Sequence, residues 1–440
     1  MSTIDSPPPA LSQALKWENS YINNGKPFQV LSDIGYMIIL SPAHADEIRN
    51  DERFSFDALL YKMFLGDYSG LEPLVFGTGF HGVVFKSSVR KNLTQSLEWS
   101  EVKFVQTATI TAARLSNRVF LGEELSRDKD WLNVSIMYTV DSAEAVQELR
   151  MVPSFARGLV HWFMPSMNRC RQHIRTARRL INPEVSTRQN AIRDASLTGK
   201  ARKKPVDSLE WFMDNAGGKS CDYALGQIAL GLAAIHTTSA MIVGMLYDLA
   251  EHPEFMEDVR QEIASVLKED GGWKKTSLYK MKLLDSGMKE SQRLHPITST
   301  LVNRVLTEDV VLKDGTRLPK GAMVAIPSIA MVDPAVFGED ADRFDGRRFL
   351  RLREQPGQEN RWQFVTTSPE MFGFGHGMHA CPGRFFASNE VKIAIAHLIL
   401  KYDWKFDEKL PRPQSMKDNA HAPNPEAGIW CRARNPELAL

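Results

Sequence analysis

Cysteine is scarce in this chain: four residues among 440, Cys170, Cys221, Cys381 and Cys431, without the density or paired spacing of a disulfide scaffold. Such usage points to a reducing compartment. A charge excess is missing too. Lys and Arg number 54 against 53 Asp and Glu, a net +1, so no overall field draws the chain to nucleic acid, and nucleic-acid binding is not expected. Pro (23) and Gly (28) stay at ordinary frequencies, which excludes collagen-like and disordered classes. The first 25 residues hold Asp5, Lys16, Glu18 and the tract Pro7-Pro8-Pro9, but no apolar run long enough for a signal peptide or membrane anchor. Residues 1–25 therefore read as a tail without an anchor. Neither an internal repeat nor a composition break divides residues 26–440, which read as a single domain.

One long uncharged run is present, Tyr223 to Tyr247. It is long enough to cross a bilayer, yet His236-Thr237-Thr238-Ser239 lies at its middle, where a bilayer penalises polarity most. A helix buried in the core of a large protein is the better reading. The basic clusters RCRQHIRTARRL and GKARKKP, between Met151 and Pro205, read as a solvated helix face and a loop, with contact to an anionic membrane surface or partner as the alternative. Ser277 to Leu294 reads as one helix that ends before Pro296. Asp314-Gly315 between β-formers signals a hairpin, and Met323 to Ile326 another strand. From Pro382 onward the apolar stripe Ala387, Val391, Ile395 and Leu398 or Ile399 is helical. The expected class is mainly α with a small β domain.

The strongest chemical signal is Phe374-Gly375-His376-Gly377-Met378-His379-Ala380-Cys381-Pro382-Gly383-Arg384. Two glycines permit a tight loop, and Pro382 suits the first position of a helix. A cysteine there faces unpaired N–H groups and the positive helix end, which favour the thiolate. That makes a soft anionic ligand for iron; the alternative is a buried cysteine after a glycine turn.

This loop resembles the haem-binding loop of cytochrome P450, with Phe374, Gly375, Gly377, Cys381 and Gly383 matching and His379 standing where the family has an arginine for a haem propionate. The resemblance implies the P450 fold, haem b held by the Cys381 thiolate, and a P450 catalytic domain over residues 26–440. Glu290 and Arg293 match the family's Glu-x-x-Arg, in which i and i+3 share a helix face. Arg348 takes the place of the third partner of that network, with Arg343 as competitor. Ala233-Ala234-Ile235-His236-Thr237-Thr238 falls on the family's oxygen-side segment. Thr237 would sit beside dioxygen with Thr238 next to it, and His236 replaces the usual acid. His236 is read as a proton relay, with a core histidine as the alternative. Arg90 and Arg304 are the remaining propionate candidates. Lys86, Lys91 and Arg384 are basic residues that would meet an acidic reductase.

The chain is similar to fungal P450s of secondary metabolism related to ent-kaurene oxidases. The resemblance implies a monooxygenase that oxidises an apolar small molecule, a terpenoid or terpenoid-derived metabolite, with O2 and electrons from NADPH-cytochrome P450 reductase. It also implies a place on the cytoplasmic side of the endoplasmic reticulum membrane, if an anchor is missing from this chain, and otherwise peripheral membrane contact. The alternatives are a P450-fold isomerase or dehydratase, which needs no reductase, a non-catalytic haem binder, and a membrane protein spanning at Tyr223 to Tyr247.

Overall fold

The structure is a computed structural model that describes residues 27–32, 35–40, 44, 48, 51, 53–64, 99–406 and 424–434. The chain divides into two compact units, Met1–Glu98 and Trp99–Leu440. In the first, β1 (Phe28–Ser32) pairs antiparallel with β2 (Gly35–Ile39), Phe28 opposite Ile39. Helix α1 (Phe56–Met63) follows, capped by Ser55, whose Oγ accepts from the Ala58 N–H at 3.1 Å. Lys86, Arg90 and Lys91 lie outside the described residues.

The second unit begins with β3 (Ser100–Lys103) and the helices α2 (Phe104–Leu125), α3 (Lys129–Met151), α4 (Arg157–Val160) and α5 (Pro165–Thr198). Next come α6 (Ser208–Ala216), α7 (Tyr223–Glu251), α8 (Pro253–Asp270), α9 (Lys275–Lys280) and α10 (Lys282–Leu294). A small β region holds β4 (Thr300–Val305), β5 (Val310–Val311), β6 (Arg317–Leu318) and β7 (Met323–Pro327). The chain then runs through α11 (Pro334–Phe337), α12 (Arg348–Arg353), α13 (Arg384–Lys401), β8 (Tyr402–Lys405) and β9 (Gly428–Ala433).

The uncharged run is α7, started by Asp222, whose Oδ1 accepts from the Leu225 N–H at 3.2 Å. Among the described residues it is the one helix long and apolar enough to cross a bilayer. It packs instead against α2, α3, α5, α10 and α13, with Ile235, Ile242, Leu246 and Leu249 fully buried. Burying apolar surface on so many sides stabilises a helix that propensity alone would not hold. It is the core helix of this unit, not a span.

Strands β4 and β7 pair antiparallel with a bulge between Leu301 and Arg304. At that bulge Val302 takes φ 52°, a left-handed conformation strained for a β-branched residue. The hairpin at Asp314-Gly315 joins β5 to β6, Gly315 at φ 87°. The third sheet has the order β3-β9-β8.

Three expectations are corrected. The stretch 277–294 is two helices, not one, because the backbone breaks at Met281 (ψ 72°), which sends that side chain into the core. The C-terminal helix starts at Arg384 instead of Pro382, since Pro382 and Gly383 form a turn. The basic loop after α5 is tied down as well as solvated: Arg202 pairs with the buried Glu210, and Lys204 with Asp214.

On α13, Glu390 is buried against α2, where Ser116 donates to its two oxygens at 2.8 and 3.1 Å. Burial pushes this carboxyl up to about 7, against the pull of the Ser116 hydroxyl. A carboxyl whose folded pKa lies above its unfolded one contributes stability that is complete below pH 4.5 and lost as pH rises through 7. Glu390→Gln should therefore gain about 3 kcal/mol on the wild type as pH rises across that window. Urea unfolding of both proteins at several pH values checks this; parallel curves would mean that Glu390 does not titrate there.

Candidate active site

The cysteine loop is built by backbone geometry. Gly375 and Gly377 both take φ 70°, and a Cβ on Gly375 would come within 3.3 Å of the His379 carbonyl oxygen. The Gly375 N–H donates to the Phe372 carbonyl and the Cys381 N–H to the Phe374 carbonyl, both at 2.7 Å. Phe374 packs edge-on against the buried Phe364, ring centroids 5.1 Å apart. The loop thus closes on itself and presents a half-buried Cys381 just before α13, with Gly383 leaving the sulfur open, where a Cβ would stand 3.9 Å away. The other cysteines differ. Cys170 is buried and burial pushes its thiol up, Cys221 is exposed, and Cys431 lies in β9 beside Ser100.

Glu290, Arg293 and Arg348 are brought together. Arg293 forks onto Glu290 at 2.7 and 2.8 Å, and Arg348 Nε reaches the same carboxylate at 3.1 Å. The Asp345 N–H adds a fourth donor at 3.1 Å. Arg343, the competitor, contributes only its carbonyl, which accepts from Arg348. The side chains of Glu290 and Arg293 are 0% exposed. Arg293 also donates to the carbonyls of Met331 and Ala341, and Arg348 to those of Phe337 and Asp340. The network therefore staples α10 to the region 331–348 that leads into α12.

Sequence reasoning missed a second set on α10. Asp285 accepts from Lys392 and Arg353, and Lys289 donates to the carbonyls of Gln363 and Thr366. Burial pulls the Lys289 ammonium down to about 7. Every residue from Leu283 to Arg293 is buried, so the charges of this helix are interior. The available signal was the i, i+4 pair of Asp285 and Lys289 on the same helix as Glu290.

On α7, residues Leu225, Ala229, Leu232 and Ala233 form a stripe left exposed, on a helix otherwise packed. His236 and Thr237, both half-buried, continue that stripe. His236 Nε2 lies 3.0 Å from the Ile136 carbonyl of α3; a carbonyl only accepts, so the Nε2–H donates and Nδ1 carries the lone pair in the neutral ring. The Thr237 hydroxyl donates to the Ala233 carbonyl at 2.7 Å, the back-bond typical of threonine within a helix. Thr238 is 1% exposed, on the packed side. His379 is exposed in the cysteine loop. Arg304 is exposed on β4, donating to the Asn303 carbonyl at 2.7 Å. No hydrogen bond among the described residues joins His379 or Arg304 to the charge network. His376, which sequence reasoning passed over, shares a 3.1 Å hydrogen bond between Nδ1 and the Thr367 hydroxyl.

Among the described residues no group of three or more His, Cys, Asp and Glu could hold a metal ion. A single presented cysteine suits an iron whose other ligands come with a macrocycle. Cys381 and the glycine turn around it fit haem.

Residues 80–432 match the family model for cytochrome P450. The chain belongs to the cytochrome P450 family. It is 40% identical to cytochrome P450 monooxygenase hepE of Aspergillus oryzae, over 94% of this chain and 80% of that protein. It is 38% identical to cytochrome P450 monooxygenase 1 of Gibberella fujikuroi, over 94% of this chain and 99% of that protein. Cytochrome P450 monooxygenase esdpI of Penicillium shearii is 38% identical over 95% of this chain and 86% of its own length. The cofactor of the family is haem b, held through a cysteine thiolate.

Removing one partner from a buried ion network leaves the others uncompensated, at about 3–5 kcal/mol. Arg293→Ala should therefore yield poorly soluble, haem-free protein, a loss that is a large fraction of ordinary domain stability. Haem content per chain in the soluble fraction checks this; full loading would mean that the network is dispensable.

Proposed function

We propose that this P450 is a monooxygenase that inserts one oxygen atom of O2 into an apolar small molecule, a terpenoid or terpenoid-derived secondary metabolite, in a fungal biosynthetic pathway. The observation that carries the reading is the Cys381 thiol, presented by a glycine turn in a chain whose relatives are P450 monooxygenases. The terpenoid class rests on the likeness to ent-kaurene oxidases. Haem b, when bound, supplies the iron at which dioxygen is activated. Cys381 would hold that iron through its sulfur in this proposal. Phe374, Gly375, Gly377 and Gly383 shape the loop around it, and His379, Arg304 and Arg90 are the residues offered to the propionates. Glu290, Arg293 and Arg348 hold the core beneath.

The exposed stripe Leu225, Ala229, Leu232 and Ala233 offers an apolar wall, which favours an apolar substrate. At its end, Thr237 accepts with its free lone pairs while its proton rests on the Ala233 carbonyl, and can turn that proton outward. In this role His236 takes and returns a proton at Nδ1 while Nε2–H stays on the Ile136 carbonyl, which fixes the ring. Thr238 backs Thr237 from the packed side. The presence of Thr237 favours oxygen insertion over isomerisation.

A redox partner must supply the electrons, and NADPH-cytochrome P450 reductase is the one we propose. Peripheral contact with the cytoplasmic face of the endoplasmic reticulum membrane is supported by one segment. Met151, Phe155, Leu159, Trp162 and Phe163 are each 60–90% exposed around α4, a run of large exposed apolar side chains of the kind that marks membrane or partner contact.

Cys381→Ser should lose the long-wavelength band of the reduced, carbon monoxide-bound protein, because a serine hydroxyl is a hard ligand that stays protonated. Replacing Cys170, Cys221 or Cys431 should leave the band in place. A band that survives in Cys381→Ser would overturn the ligand assignment. His236→Ala should bind haem and substrate yet divert NADPH to peroxide, with product per NADPH falling by up to ~10²-fold, the lower end for a general acid–base group. An unchanged product-to-NADPH ratio would reduce His236 to packing.

A further inference from the structure

The charge on α10 that lies outside the Glu290 network has a definite target. Three donors from three parts of the chain converge on Asp285: Lys392 Nζ of α13 at 2.6 Å, Arg353 NH1 of α12 at 3.1 Å and the backbone N–H of Phe364 at 2.9 Å. One turn further, Lys289 Nζ donates to the carbonyls of Gln363 at 2.9 Å and Thr366 at 2.8 Å. Asp285, Lys289, Arg353 and Lys392 are each at most 8% exposed. The contacts of Asp285 and Lys289 fall on three places, the end of α12, the irregular strap 363–366 that leads into the cysteine loop, and the helix that follows it. Arg384 completes the path. Its Nε donates to the Val365 carbonyl at 3.1 Å, and its NH1 to the Cys381 carbonyl at 2.8 Å.

Buried ion networks are weak sources of stability, and apolar residues of similar volume often serve as well. Several directional donors on one carboxylate do what apolar packing cannot: they fix the relative placement of the segments that carry them. We propose that Asp285 and Lys289 are positioning residues for Cys381, clamping the strap 363–366 and α13 to α10 while Arg384 carries that placement to the main chain of the cysteine. The proposal rests on the reading of Cys381 as the iron ligand. Neither residue touches that ligand; both act through the backbone on either side of it, as outer partners of a metal ligand do.

The test compares haem-loaded Asp285→Asn, Lys289→Met and Arg384→Gln with wild type and with Arg188→Gln. The last breaks a buried pair with Asp207 that joins α5 to the start of α6 and serves as the control for lost stability alone. Two quantities are read: the rate of haem transfer to apomyoglobin, and the pH at which the reduced, carbon monoxide-bound protein passes from the thiolate to the thiol spectrum. The positioning variants should release haem roughly tenfold faster, the lower end for outer partners of a metal ligand, and pass to the thiol form at higher pH than wild type. Lys289→Arg, which keeps donors for the two carbonyls, should restore both. The control should change neither at an equal loss of unfolding stability. Should Asp285→Asn not fold, Lys289→Met and Arg384→Gln carry the same comparison. Wild-type haem release and pH profile in those variants would overturn the proposal. Cys381→Ser separates the two readings: a retained thiolate band there fails the ligand assignment, whereas a lost band with unaltered positioning variants fails this inference alone.

Discussion

Everything around the cysteine loop depends on one carboxylate being taken out of water. Glu290 is fully buried, and it is tolerable there only because two guanidiniums and a backbone N–H surround it. The two arginines in turn are satisfied by carbonyls of residues 331–341. A stretch of short helical turns and loop thereby acquires fixed positions. Onto that frame packs the aromatic cluster of Phe337, Phe349, Trp362 and Phe372, and Phe372 supplies the carbonyl that closes the turn at Gly375. Residues 331–348 and the aromatic cluster that leads toward the cysteine loop are thereby tied to α10 by contacts far apart in sequence.

The legible parts of the molecule were those where chemistry shows in adjacent letters. Two glycines, a cysteine and a proline announce a tight turn with a presented thiol, and the turn is there. Glutamate and arginine at i and i+3 announce a shared face. The uncharged run with polar residues at its centre announced a buried helix, and α7 is that helix. Helix ends were read less well. The apolar spacing continues across Met281 with no glycine or proline to mark the break, so one helix was expected where two exist.

Illegible were the partners that are backbone atoms. The Ile136 carbonyl that orients His236, and the Gln363, Val365 and Thr366 carbonyls that receive Lys289 and Arg384, carry no signature in the sequence because every residue has such an acceptor. Buried charge misleads for the same reason. Asp285, Lys289 and Lys392 have the composition of a solvated face, and only packing turns them inward, that of α10 against α7, α8 and α12 for the first two and that of α13 against α7, α8 and α9 for Lys392.

The two departures from the family pattern differ in what they ask of a histidine. At 379 an arginine is replaced on an exposed loop, where water screens a charge and a single donor loses little against a fork. At 236 a histidine lies inside a helix bundle, where the proposed relay asks a group to exchange protons and still be held. A carboxylate would do both with its two oxygens. In that proposal the imidazole would divide the tasks between its nitrogens, Nε2–H fixed to Ile136 and Nδ1 left to exchange. The same anchor that makes His236 a well-satisfied core residue is what sets its tautomer. Packing and proton relay are thus compatible readings of one contact, separable by chemistry at Nδ1 and not by the presence of a partner at Nε2.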